Sequence, residues 1–233
     1  MDSDITCFLK QVYPKAAHAP DRAAAYQQIA LFYRAVRRNF PPDKNIWANF
    51  YNTGKGAYLH RKLREYLATR QNQLCCYCQD KIYHHVNSNI EHILPIKHYP
   101  YFAFSFDNLA LSCATCNALK SADDWFKLAS VKQSYRRNKF DCFHPRYHSY
   151  HEHIEMIRIG TNKVDVRVFF GKTKEGKIVC KNLLGKVSNF FLKEKTCPEI
   201  SKAITSLENY ISNNPGAASL ALEQITKMLY SKI

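Results

Sequence analysis

Two pairs of cysteines, Cys75 with Cys78 and Cys113 with Cys116, constrain this chain more than any other feature. Two residues between paired cysteines let a tight turn aim both sulfurs at one ion, and two such turns supply the four ligands of a tetrahedral zinc site. The 34 residues between Cys78 and Cys113 exceed the span of an ordinary zinc ribbon, so the spacing predicts that the insert is itself folded. Cys76 competes with Cys75, but with only Tyr77 between it and Cys78 its bite on an ion is poor, and Cys75 is the expected ligand. Buried free thiols are a simpler reading, since cysteine packs as a small hydrophobe. Disulfides are another, opposed by the odd total of nine cysteines and by an opening segment, MDSDITCFLK, without secretory character. The repeated spacing favours metal over both.

The insert carries groups suited to chemistry. Asn89 to Pro95 reads NIEHILP, a short apolar strand that delivers Glu91 and His92 before Pro95 stops it. Asp107 to Ser112 reads as a returning strand that runs into the second cysteine pair. Leu119, Ala122, Trp125, Phe126 and Leu128 then recur at helical spacing and predict a helix over 117–129 with Asn117 in its first turn. Phosphodiester hydrolysis needs a water, a base to deprotonate it and a cation to stabilise charge on the phosphoryl oxygens. His92 suits the base because imidazole titrates near neutrality. Glu91 and Asn117 offer hard oxygen donors of the kind taken by Mg²⁺ or Mn²⁺.

At these residues the chain resembles the HNH endonucleases, built on a ββα-metal motif that many members brace with a four-cysteine zinc site. The resemblance rests on Cys75-x-Tyr-Cys78, Glu91-His92-Ile-x-Pro95, Asn108-Leu109 and Cys113-x-x-Cys116-Asn117-x-x-Lys120. It implies that Glu91 and Asn117 hold the catalytic metal, that His92 is the general base, that Asn108 orients the His92 loop and that Lys120 touches a phosphate. Glu91 departs from the commoner aspartate or histidine. A second resemblance runs through Phe143-His144-Pro145-Arg146-Tyr147 and His151-Glu152-His153-Ile154, to the PtuB-like HNH subunits of Septu and retron antiphage systems. It implies a PtuA-like ABC-type ATPase as partner and, in retron versions, a reverse transcriptase with its multicopy RNA–DNA product (msDNA).

The rest of the chain agrees with a polyanionic substrate, DNA or RNA. Basic side chains outnumber acidic ones by 34 to 19, for a net charge of +15, which attracts nucleic acid. No apolar run is long enough to span a membrane, and reduced, metal-bound cysteines point to the cytoplasm. Gly54-Lys55-Gly56 lacks Walker A spacing and reads as a flexible turn, so ATP use belongs to a partner. Within the basic run over 132–139, Arg136 and Arg137 are candidate nucleic-acid contacts with Tyr135 as a stacking ring, a solvated linker being the plainer reading. His144, His148, His151 and His153 could make a second metal site, although their spacing forms no recognisable cage; a place near substrate or a subunit contact suits them better.

The expected fold is α+β: a ββα-metal HNH core with its four-cysteine zinc site, preceded by helices and followed by a β-hairpin and C-terminal helices. Region boundaries are expected at 1–70 (helical), 71–130 (nuclease core) and 131–233 (basic linker, hairpin and helices). Asp21 is a candidate cap for a helix that Pro41-Pro42 ends, and a second helix covers Ala57 to Arg70. Period-two alternation from Val164 to Phe170, a turn over 171–176 and a return over 177–184 predict the hairpin. Apolar stripes at Ile200, Ile204, Leu207 and Ile211 and at Leu222, Ile225 and Leu229 predict two closing helices. The expected activity is metal-dependent cleavage of nucleic acid. Its rivals are a non-catalytic, zinc-braced nucleic-acid-binding module and a structural zinc subunit that would have no need of Glu91, His92 and Asn117.

Overall fold

The structure, a computed structural model, describes residues 3–38, 45–84, 87–160 and 165–188. The stripes expected over 200–229 lie outside them, as does Pro41-Pro42.

Four helices form the N-terminal layer: α1 (Ser3–Val12), α2 (Ala19–Arg38), α3 (Ile46–Tyr51) and α4 (Gly54–Arg70). Helix α2 opens two residues before the expected cap, because Pro20 needs no amide partner in a first turn and Asp21 there favours the positive end of the helix dipole. Gly54-Lys55-Gly56 is likewise not a free turn. It is the first turn of α4, where Thr53 Oγ1 accepts from the Gly56 amide at 3.0 Å. A side chain at Gly56 would drive its Cβ into the Phe50 carbonyl oxygen, so glycine there lets α3 and α4 close on each other. Leu59, Leu63, Tyr66 and Leu67 give α4 one buried face, as the spacing predicts.

Strands β1 (Ser88–His92) and β2 (Leu109–Cys113) pair antiparallel, with Ile90 opposite Leu111 and His92 opposite Leu109. Helix α5 (Ala114–Lys120) follows at once, so the expected order of strand, loop, strand, helix is present. The helix is shorter than expected. It starts at the second cysteine pair and stops where Ser121 takes φ 50°, a conformation that breaks the ladder of amides. The apolar residues read as its continuation, Trp125 and Phe126, are buried from irregular backbone instead.

The C-terminal hairpin is also reassigned. The alternation of residues 165–171 does form a strand, β4 (Asp165–Gly171), but its partner lies upstream in β3 (Ile154–Gly160), with Ile157 opposite Val168. Residues expected as the return strand are helical: α6 (Lys174–Val179) is capped by Thr173, whose Oγ1 accepts from the Gly176 amide, and passes into a π-helical stretch, Cys180–Leu184. Val179, Leu183, Leu184 and Val187 fall on one buried side, a helical spacing that a strand reading overlooks.

One continuous apolar core joins these layers, from Ile5 of α1 to Val187 beyond the π stretch. Phe8 meets Tyr66 and Phe106 at ring distances of 5.4 and 5.6 Å, and Phe104 contacts Phe32, Phe50 and Trp47. The loop between β1 and β2 is thereby packed against the helical layer, and fully burying each such ring is worth about 2–3 kcal/mol. No helix among the described residues is long and apolar enough to cross a membrane.

Candidate functional site

The first cysteine pair sits in a tight turn. Residues Leu74 and Lys81 form an antiparallel bridge, Cys75 donates its amide to the Asp80 carbonyl, and Gln79 takes φ 58° to close the loop. Gln71 at the end of α4 clasps this turn to β2: its Nε2 donates to the carbonyls of Leu74 and Leu111, and its Oε1 accepts from the Leu111 amide. The second pair stands where β2 becomes α5, with Cys113 as cap. The Sγ atoms of Cys75, Cys78, Cys113 and Cys116 all lie within 4.8 Å of one another.

That geometry fits zinc. Zn–S bonds of about 2.3 Å make a tetrahedron with an edge of about 3.8 Å, and Cys78 Sγ stands 3.8 Å from Cys113 Sγ. Amides brace the sulfurs, with Cys113 N donating to Cys75 Sγ and Cys116 N to Cys113 Sγ. Burial pushes the Cys75 thiol up, but hydrogen bonds from Cys113, Cys116, Cys76 and Cys78 outweigh it and hold Cys75 well below the ordinary range, whereas the bond to Cys113 foremost pushes the Cys78 and Cys116 thiols up, so the four sulfurs share their protons as one group. Cys76 lies outside the four-sulfur group, and burial pushes its thiol well up. Of the two, Cys75 is the one whose sulfur joins the group.

Glu91 and His92 end β1, and strand alternation sends them to opposite faces. Glu91 turns toward α5 and the first cysteine turn. Its Oε1 is 2.5 Å from Lys120 Nζ and accepts from the Tyr77 hydroxyl at 3.2 Å. Burial raises the Glu91 carboxyl above its ordinary value, against the opposing pull of Lys120 and Tyr77. His92 turns toward the helical layer, where Trp47 meets its ring edge-on at 4.7 Å. Its Nε2 is 3.0 Å from the Ala103 carbonyl oxygen. A carbonyl only accepts, so Nε2 carries the proton and the lone pair of the neutral ring is on Nδ1. Burial foremost, with Lys120 adding, lowers the His92 pKa to about 4 despite the Ala103 bond, so the imidazole is neutral at pH 7.

Asn108 is fully buried and ties together the two segments that fix His92. Its Oδ1 accepts from the Leu94 amide at 2.7 Å, and its Nδ2 donates to the carbonyls of Leu94 and Phe102. Leu94 lies two residues past His92, and Phe102 precedes the alanine whose carbonyl accepts the hydrogen bond from His92 Nε2. Asn117 is half-buried on α5, one turn before Lys120 and hence on the same face.

Lys120 is not at the surface. Expected at a phosphate, it is 1% exposed, and its ammonium bonds both the Glu91 carboxylate and the His92 carbonyl oxygen, the latter at 3.0 Å. The interleaved apolar residues hide this, because they pull the end of α5 inward. A carboxylate and an amide oxygen are the right donor types for a hard divalent cation, but Lys120 already engages that carboxylate, so cation and lysine compete for it. Among the described residues the four cysteines are the one group of three or more His, Cys, Asp or Glu side chains arranged to hold a metal.

Outside this centre, Arg137 is exposed, and Arg136 is exposed but paired with Asp107 through Nε at 2.7 Å. Tyr135, read as a stacking ring, is buried. The four histidines form no cage: His144 is buried against Tyr147 and Phe140, while His148 stacks on His153. Sequence reasoning missed Tyr77 as a partner of Glu91 and Trp47 as the cover of His92. The first stands inside the cysteine motif itself; the second has no local signature.

A family model described as HNH endonuclease matches residues 75–123, about a fifth of the chain. No curated protein and no solved structure matches it.

Proposed function

We propose that the chain is an HNH-type endonuclease that hydrolyses phosphodiester bonds of nucleic acid. The observation that carries this reading is the tautomer of His92: with Nε2–H committed to Ala103, the neutral ring offers Nδ1 as a base. His92 Nδ1 would take the proton of the attacking water, and Asn108 keeps the ring in register through Leu94 and Phe102. In this reading Glu91 and Asn117 hold Mg²⁺ or Mn²⁺ on the α5 side of β1 once Lys120 is displaced from Glu91, and the attacking water must reach past the end of the strand to His92, which faces the helical layer. The cation supplies charge stabilisation on the phosphoryl and leaving oxygens. Arg136 and Arg137 contribute charge along the substrate backbone. The four-cysteine zinc holds the strand pair and α5 together and takes no part in the chemistry.

The biological setting we propose follows the resemblance of residues 143–154: an effector of a Septu- or retron-type antiphage system, in the cytoplasm, working beside a PtuA-like ATPase and, in a retron version, a reverse transcriptase with msDNA. Co-purification of an ATPase with the tagged chain tests the partner. The activity is tested by incubating the zinc-loaded protein with duplex DNA, single-stranded DNA and RNA in Mg²⁺ or Mn²⁺. Cleavage that falls about 10²–10⁴-fold in His92→Ala, with binding retained, is the expected result. No cleavage of any of the three, alone or with the ATPase, refutes it.

One observation favours the rival reading of a non-catalytic, zinc-braced nucleic-acid-binding module: the buried Glu91–Lys120 pair leaves the carboxylate already neutralised. Such a module binds nucleic acid equally well with and without Mg²⁺ and is indifferent to His92→Ala.

A further inference from the structure

The FHPRYH segment at residues 143–148 lies beyond the stretch matched by the family model and contains none of the residues assigned to the reaction. Its first histidine nevertheless reaches the site through two hydrogen bonds. His144 Nδ1 accepts from the Arg146 amide at 3.2 Å, so in the neutral ring the proton is on Nε2. His144 Nε2 is 2.8 Å from the Tyr135 hydroxyl oxygen, which therefore accepts from it. The Tyr135 hydroxyl is left to donate its own proton, and Asn108 Oδ1 stands 3.0 Å away. The chain of donors runs one way: His144 to Tyr135 to Asn108.

This arrangement is built rather than incidental. The His144 ring stacks on Tyr147 at 4.3 Å and 12° and packs on Phe140 at 4.5 Å, so it is held from two sides. The backbone turn folds around it, with the amides of Tyr147 and His148 both donating to its carbonyl. Arg146 pairs with Asp4 of α1 at 2.6 Å and anchors the turn. With Tyr135 counted, Asn108 makes two bonds through Oδ1 and two through Nδ2, its full capacity. Loss of the Tyr135 hydroxyl would free the amide to tilt, and with it Leu94 and the Phe102–Ala103 carbonyls that orient His92.

We propose that Tyr135 and His144 are positioning residues for phosphodiester cleavage, holding Asn108, and through it His92, in the reactive geometry. The proposal rests on the nuclease reading above and adds a segment outside the HNH match to the working site.

The test uses the full zinc-loaded chain with a small probe, bis(p-nitrophenyl) phosphate, and Mn²⁺, so that substrate-groove contacts do not enter. Tyr135→Phe removes one oxygen from a packed ring and is expected to lower kcat about 10- to 100-fold with KM nearly unchanged. His144→Gln keeps an N–H donor toward Tyr135 and is expected to retain most of the activity that His144→Leu loses. A normal kcat in folded Tyr135→Phe, a loss confined to KM, or equal damage from Gln and Leu at position 144 overturns the proposal. Amide hydrogen exchange separates this from failure of the nuclease reading. Tyr135→Phe should speed exchange at Leu94 but leave Ile90 and Leu111 of the strand pair unchanged. If the wild type cleaves no diester, the nuclease reading falls and the exchange result alone decides the relay, with an unaffected Leu94 refuting it.

Discussion

Lys120→Met probes the competition at the heart of the site. The ammonium and the Glu91 carboxylate are 1% and 4% exposed and 2.5 Å apart. Removing the lysine leaves a buried carboxylate whose one remaining partner among the described residues is the Tyr77 hydroxyl, and breaking such a pair from one side typically costs about 3–5 kcal/mol. For a chain of this size that lowers the melting temperature by about 6–20 °C. Glu91→Gln strands the ammonium and should cost a similar amount. The double variant leaves neither charge uncompensated and should recover most of the loss, for a coupling of at least about 2 kcal/mol. Urea midpoints in zinc-replete buffer measure all three. Adding millimolar Mg²⁺ extends the cycle: if a divalent cation takes Glu91 in place of Lys120, it should raise the midpoint of Lys120→Met and leave the double variant unmoved. Single-variant losses that add to within about 0.5 kcal/mol would show that the two charges do not interact, and a midpoint indifferent to Mg²⁺ in Lys120→Met would remove Glu91 from the catalytic-metal assignment.

Three other outcomes follow from the same geometry. One zinc per chain should be released on titrating the thiols, and Cys75→Ser should abolish its binding and the cooperative unfolding transition, whereas Cys76→Ser should retain both, as read by zinc release and calorimetry. Because burial holds His92 near pKa 4 and His144 near 3, below the ordinary 6.5, the unfolded chain binds protons that the folded one refuses. Stability from these groups is thus complete above about pH 6.5 and is lost as pH falls toward 3, by about 3 kcal/mol for His92 alone; the wild-type decline in denaturant midpoint should be shallower in His144→Gln, and an equal slope would contradict it. Trp47→Ala should hydrate the His92 ring and move its pKa upward from about 4 toward 6.5, followed by the imidazole proton shifts in an NMR titration.

What the amino-acid order disclosed, and what it withheld, divides along the range of the interactions. The cysteine pairs were legible because ligand spacing is local: a turn of two residues determines where both sulfurs point, and even Cys75 over Cys76 follows from bite. The pairing of β1 with β2 and the buried face of α4 were legible for the same reason, through periods of two and 3.6. Lys120 was not, since a terminal lysine looks like a surface group until the Glu91 carboxylate across the sheet draws it in. Tyr135 sat among arginines and read as a stacking ring, yet its hydroxyl faces Asn108, 27 residues earlier. The hairpin failed differently. Two segments alternate well enough to pair with β4, and only the cap at Thr173 decides that the downstream one coils.

Asp80, two residues beyond Cys78, reaches across to the distal hairpin, where Arg167 of β4 is bound to it and Arg158 of β3 stands 3.8 Å away. The sulfur turn is therefore also the mooring point for a ribbon some ninety positions downstream. A chain made under metal starvation would leave that ribbon adrift with its buried apolar residues, Ile154 and Val168 among them, open to water. Proteolytic turnover in the cell should then track zinc supply, and the amount of protein present would be rationed by the ion before any substrate is met.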